Sequence, residues 1–201
     1  MVKTKIGVDI DGVISTDFSM SIDMLNAHFG TSFHTNEVDD YYFENFYERH
    51  GFSKEEARSL LDEAFHSSEF LSKSAVILPM LTTLKRLSGM SSDPSGVTII
   101  TARPEVTKTA TKQYIDDHGI SYHSIVHTSD KRSYCREKGI RYMIEDSPRQ
   151  AEECSSIGVG VLLIDYPYNR SVHATGKNGI WRIEHPSEIP QIIEKDIHER
   201  S

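Results

Sequence analysis

The run Lys5-Ile6-Gly7-Val8-Asp9-Ile10-Asp11-Gly12-Val13-Ile14 carries apolar, β-branched residues at 6, 8 and 10 and breaks at a glycine. A short run of this kind predicts a buried strand over residues 5–10. Its end bears two aspartates, and alternation along an extended backbone projects residues 9 and 11 to the same side. Gly12 permits a sharp exit immediately afterwards.

Further along, short apolar runs alternate with helical patterns. Strands are expected at residues 97–101, 124–127, 141–144, 159–164 and 180–183. Between them, Pro104 suits the first turn of a helix ending at His118-Gly119, and Asp130 can cap a helix that stops at Lys138-Gly139. Ser147, Pro148 and Gln150 read as a helix start with a capping box. Ile189, Ile192, Ile193 and Ile197 share one face of a last helix. Such alternation predicts an α/β fold, a doubly wound, Rossmann-like parallel sheet. Residues 16–74 differ in character. All eight phenylalanines of the chain lie between Phe18 and Phe70, together with Tyr41, Tyr42 and Tyr47. Helical spacing at Met20, Met24, Leu25 and His28, and a second capping box at Ser53 and Glu56, predict a small all-helical cap inserted after the first strand. Residues 1–15 and 75–201 are then the core.

A chain of 201 residues suits one domain carrying an insertion, and a net charge of -8 disfavours a nucleic-acid polymer or an anionic membrane as partner. The two cysteines, Cys135 and Cys154, belong to no zinc-like cluster and read as reduced thiols. No signal-like segment follows Met1 and no run is long and apolar enough to span a bilayer, so a cytoplasmic protein is expected.

In doubly wound sheets ligands bind beyond the carboxyl ends of the strands. Those ends carry Asp9 and Asp11, Thr101, and Glu145-Asp146, while Lys131 opens the helix after the third strand. A carboxylate can attack phosphorus and split one hard step into two. Mg2+ must then offset the charge that carboxylate and substrate share. Asp9 and Asp146 would supply carboxylates to it, and Asp11 a backbone carbonyl. Lys131 adds a point charge, and the Thr101 hydroxyl can hold a transferring oxygen. The Asp11 side chain is left to protonate the leaving alkoxide and then to activate water. Arg103 reads as a bidentate phosphate holder or as a helix-edge ion pair. Singly, these residues have plainer readings: aspartates form turns, and an acidic pair can precede a helix cap. The constellation outweighs them.

Four motifs in order resemble the haloacid dehalogenase superfamily: VDIDGVI at 8–14, TIITAR at 98–103, the lysine of SDK at 129–131, and MIEDSP at 143–148. The resemblance implies Asp9 as nucleophile, Asp11 as acid/base, Thr101 and Lys131 as phosphoryl stabilisers, and Asp146 with Glu145 at the metal end. An aspartate at position 11 is usual in phosphatases of the superfamily. Within it, Asp17-Phe18, the aromatic cap and LLIDYPYNR at 162–170 resemble the cytosolic 5'-nucleotidase and 5'(3')-deoxyribonucleotidase group, bacterial-like branch. That group implies stacking of a nucleobase on Phe18. Tyr42, Phe43, Ala102 and Arg103 are further candidate substrate contacts, and the aromatic cluster at 41–47 also reads as the core of the cap. Ala102 and Glu145 depart from the mammalian pattern, which has serine and aspartate there. The expected partner is a nucleoside monophosphate, and a homodimer is left open. Rival readings are a phosphatase for a sugar phosphate or another small phosphomonoester, a phospho-receiver, and a catalytically idle binder. A receiver's acidic pair comes first in the chain and no cap follows it; here the pair comes last.

Overall fold

The computed structural model describes residues 3–200. Its strands are β1 (Ile6–Val8), β2 (Val97–Thr101), β3 (Tyr122–His127), β4 (Tyr142–Glu145), β5 (Gly160–Ile164) and β6 (Ile180–Ile183). All pair in parallel, in the order β3-β2-β1-β4-β5-β6. The chain builds outward from β1 one way and then, from β4, the other. The crevice beyond the ends of β1 and β4 is therefore the topological switch point.

The expected strands are present with shifted ends. β1 stops at Val8 because the backbone curls: the Ile10 carbonyl accepts the amides of Val13, Ile14 and Ser15 at 3.1, 2.7 and 2.9 Å. Asp9 still donates its amide to Ile144, at 3.0 Å. β3 begins at Tyr122, and its half-buried pattern is that of an edge strand, which explains its weak sequence signal. On the central strands, neighbouring residues enter different apolar clusters. Ile99 and Leu162 face one cluster with Met80, Leu87 and Ile193, while Ile100, Val161 and Leu163 face another with Cys135 and Cys154. Both cysteines are free and buried.

Helices α1 (Asp17–Phe29), α2 (Phe43–Arg49), α3 (Lys54–His66) and α4 (Ser68–Lys73) follow β1, and α5 (Leu78–Met90) leads back to β2. α6 (Lys108–Asp117), α7 (Lys131–Lys138), α8 (Pro148–Ser155) and α9 (Ile189–Arg200) link and follow the later strands. Pro104 opens a 3-10 turn at Glu105–Thr107 rather than α6 itself. The chain enters and leaves the helical segment side by side, with Thr16 donating to Ala75 and Ile77 to Ile14, both at 2.8 Å.

Both capping boxes are half formed. Ser53 accepts from the Glu56 amide and Ser147 from the Gln150 amide, at 3.2 and 3.5 Å. The reciprocal side chains are drawn elsewhere: Glu56 meets His28 at 2.7 Å, and Gln150 donates to the Ser129 carbonyl at 2.8 Å. Tertiary partners outcompete the local return bond.

The helical segment packs on Phe18, Ile22, Leu25, Phe46, Tyr47 and Leu61, and Tyr168 from beyond β5 joins that cluster. Asn26 ties the segment together. Its Oδ1 accepts from the hydroxyls of Thr31 and Tyr47 and the amide of Phe33, at 2.6, 2.9 and 3.1 Å, while its Nδ2 donates to the Phe33 carbonyl at 2.8 Å. Asn26→Ala strands several of these groups and should cost about 2–3 kcal/mol. Urea unfolding measures the total. Native-state hydrogen exchange should place the lost protection in residues 16–74, and uniform loss across the sheet would contradict the hub role.

Candidate active site

Lys131 opens α7, is 1% exposed, and lies between two carboxylates: Nζ is 2.6 Å from Asp9 Oδ2 and 2.5 Å from Glu145 Oε1. Burial opposes its charge, but Asp9 and then Glu145 hold its pKa above the ordinary lysine range. The remaining Glu145 oxygen accepts the amides of Asp146 and Ser147, at 2.9 and 3.0 Å. Both Glu145 oxygens are thus engaged within the protein. Asp146 Oδ2 accepts the Tyr168 hydroxyl at 2.5 Å, and its carbonyl accepts from Asn169 at 2.8 Å.

Asp9, Glu145 and Asp146 each offer an oxygen within 4.8 Å of one another. Burial pushes the carboxyls of Asp9 and Asp146 well above the usual range, and Glu145 adds repulsion to both, while Lys131 offsets part of the rise at Asp9. Asp11 has a different neighbour. Arg103, whose side chain is fully buried, donates from Nε to Asp11 Oδ1 and Oδ2 at 2.8 and 3.1 Å and from Nη2 to Oδ1 at 2.6 Å. Asp9 and Asp11 therefore line one cavity, but each has its own cation.

The turn that follows is held by Asp17. Its Oδ1 accepts the Gly12 amide at 2.9 Å and the Ser15 hydroxyl at 2.6 Å. Gly12 is left-handed, with φ at 72°, and a Cβ there would fall on the Asp146 carboxylate. Any side chain at 12 would separate the two ends of the site. The Gly12 carbonyl accepts the Tyr166 hydroxyl at 2.9 Å.

The cavity measures about 340 Å3 and runs from Asp9, Asp11, Lys131 and Asp146 out to Phe18, Tyr41, Tyr42, Phe43 and Phe65. This size suits a small ligand. Ala102 and Arg103 also line it. Thr101 is fully buried and accepts the Arg103 amide on its hydroxyl at 3.1 Å, so it lies behind the lining. Phe18 is 5% exposed, and its ring centroid lies 5.2, 5.2 and 5.0 Å from those of Phe43, Tyr166 and Tyr168. Tyr41 and Tyr42, 36% and 49% exposed, are the more open rings of this wall.

Sequence patterns assign no role at the site to Asp17, Ser15, Tyr166, Tyr168, Asn169 or Gln150. An acidic residue opening a helix just past the first motif is a signal that Asp17 offers. The tyrosines lie in the LLIDYPYNR stretch at 162–170, which carries the family resemblance but does not say what its side chains touch.

A profile of the family described as "5' nucleotidase, deoxy (Pyrimidine), cytosolic type C protein" matches residues 3–195. The chain belongs to this nucleotidase family. It is 30% identical over 183 residues to a nucleotidase of Clostridium acetobutylicum, covering 85% of this chain and 84% of that protein. The haloacid dehalogenase fold is shared with solved structures. A hydrolase from Deinococcus radiodurans, determined with phosphate and sodium, aligns over 96% of both chains with a TM-score of 0.63 and 15% identity. A haloacid dehalogenase-like protein from Agrobacterium tumefaciens aligns over 97% of this chain and 99% of its own, at 0.61 and 15%. Among the described residues no helix is long and apolar enough to cross a membrane.

Burial, and then the charge of Asp11, push Asp17 from 3.8 up to about 7. The folded chain holds this proton more tightly than the unfolded chain does. The stabilising contribution is complete below the unfolded pKa and is lost as pH rises through the folded one. Asp17→Asn keeps an acceptor for Gly12 and does not ionise. In EDTA, its melting temperature should fall less than that of the wild type between about pH 5 and 8. An unchanged slope would show that Asp17 does not titrate in this window.

Proposed function

We propose that this nucleotidase is a Mg2+-dependent phosphomonoesterase that hydrolyses nucleoside monophosphates through an aspartyl phosphate on Asp9. The observation that carries the reading is the placement of Asp9, paired with buried Lys131, and Asp11, paired with Arg103, on one turn at the switch point and on one cavity wall.

The donor set fits a hard dication. Asp9, Asp11, Asp17, Glu145 and Asp146 meet only two cations within this connected group, Lys131 and Arg103. Asp9 and Asp146, with the Asp11 carbonyl, would hold Mg2+, whereas Glu145 is already committed to Lys131 and two amides. When bound, Mg2+ supplies the positive charge that lets an anionic ester approach a carboxylate.

In the first step a bond forms from an Asp9 carboxylate oxygen to phosphorus as the ester P–O bond breaks, and Asp11 gives its proton to the departing alkoxide. In the second, water attacks phosphorus and gives a proton to Asp11, the Asp9–phosphorus bond breaks, and inorganic phosphate leaves. Lys131, beside Asp9 and on the cavity wall, stabilises charge on the transferring oxygens, while Thr101, behind the lining, serves the Arg103 backbone.

The family's description supports a nucleotide and a cytosolic setting. The aromatic wall supports a base, and the crowding of Phe18 directs stacking to Tyr41, Tyr42 or Phe43. A sugar phosphate would leave that wall without a partner.

Asp9→Asn should abolish turnover, a fall of about a thousandfold or more, while circular dichroism stays unchanged; retained hydrolysis would refute the covalent role. Across a substrate panel with Mg2+, nucleoside monophosphates should give higher kcat/KM than sugar phosphates. The reverse order would remove the nucleotide assignment and leave the phosphatase.

A further inference from the structure

Arg103 is fully buried and spends Nε and Nη2 on one carboxylate, that of Asp11. Its third nitrogen, Nη1, is buried with no partner, and the guanidinium lies over the Tyr114 ring, 5.5 Å from the centroid. The backbone is held as firmly: the amide donates to Thr101 Oγ1 at 3.1 Å, and the carbonyl meets His127 Nδ1 at 2.9 Å. A guanidinium enclosed in this way cannot swing out to grip a phosphate without leaving Asp11 and the Tyr114 face.

The grip on Asp11 is unequal. Oδ1 receives Nη2 and Nε at 2.6 and 2.8 Å, whereas Oδ2 receives only the longer contact from Nε at 3.1 Å. Asp11 is 22% exposed, so the carboxylate and not the guanidinium is the part of the pair that meets the cavity. We infer that Arg103 is a positioning residue that locks Asp11 through Oδ1 and leaves Oδ2 to exchange the proton with the ester oxygen. This rests on the reading of Asp11 as acid/base. It removes Arg103 from the substrate-contact set, because Asp11 holds Nε and Nη2 and the remaining nitrogen, Nη1, is buried.

A positioned acid matters in proportion to how much the leaving group needs a proton. An alkyl ester releases a strongly basic alkoxide and depends on the acid, whereas p-nitrophenyl phosphate releases a stable phenolate and does not. Arg103→Gln should therefore lower kcat/KM for an alkyl phosphate such as a nucleoside monophosphate by about a hundredfold, and for p-nitrophenyl phosphate by about threefold or less. Inhibition by inorganic phosphate should stay unchanged. Arg103→Lys keeps the charge but not the two-point grip and should show the same selectivity at smaller size; if the glutamine variant does not fold, the lysine variant decides.

Equal losses on both esters with weakened phosphate inhibition would make Arg103 a phosphate ligand and overturn the inference. Equal losses with unchanged inhibition would assign it a purely structural role and overturn the inference as well. Asp11→Asn, run alongside, separates the two layers: it must show the leaving-group selectivity itself, and equal losses there would remove the acid role of Asp11 and the inference with it. A wild-type chain that hydrolyses neither ester in Mg2+ would overturn the phosphatase reading and the inference together.

Discussion

Lys131 joins the ends of two adjacent strands, and most of the site is organised by that ion pairing. A fully buried ammonium is tolerated only with close partners, and removing one from such a group costs about 3–5 kcal/mol. Its partners are Asp9, just past β1, and Glu145, the last residue of β4. Both contacts form only when β1 and β4 pair in register and α7 starts where β3 ends. Glu145 then collects the amides of Asp146 and Ser147, which sets the start of α8 and turns Asp146 toward Asp9. One buried cation thereby brings the carboxylates together at a separation that leaves them mutually repelling.

A second cation repeats the arrangement one turn away. Arg103 serves Asp11 as Lys131 serves Asp9, so two aspartates separated by one residue occupy different electrostatic settings. The nucleophile and the acid/base proposed at these positions would each have a cation of its own. Gly12 keeps the two settings close: its left-handed backbone lets the chain turn directly against Asp146, with Asp17 holding the turn from below.

The helical segment is less separate than its composition suggests. Tyr168 belongs to its apolar cluster while donating to Asp146, and stacked Tyr166 reaches the Gly12 carbonyl, with the two rings 5.1 Å apart. The ring of Tyr41 lies 5.6 Å from that of Tyr168, which carries the contact back to the helical side. The wall that would meet a substrate and the Asp146 carboxylate share these tyrosines, so packing on one side is felt at the other.

The succession of strands, the acidic ends at Asp9, Asp11, Glu145 and Asp146, the position of Lys131 and the aromatic character of residues 16–74 were legible from the amino acids alone. They are local: periodicity, a glycine break and residue type at a strand end need no knowledge of distant partners. Half-formed capping boxes, an Arg103 turned onto Asp11, a crowded Phe18 and the tyrosines behind Asp146 were not legible. Each depends on which of several chemically equivalent partners lies nearest once the sheet has closed. Glu56 satisfies its carboxylate as well on His28 as on a backbone amide, and Arg103 satisfies its fork as well on a carboxylate as on a phosphate. By itself the sequence determined which groups the site contains; only the tertiary structure decided which pair with each other, because hydrogen-bonding and charge are assigned by proximity in space.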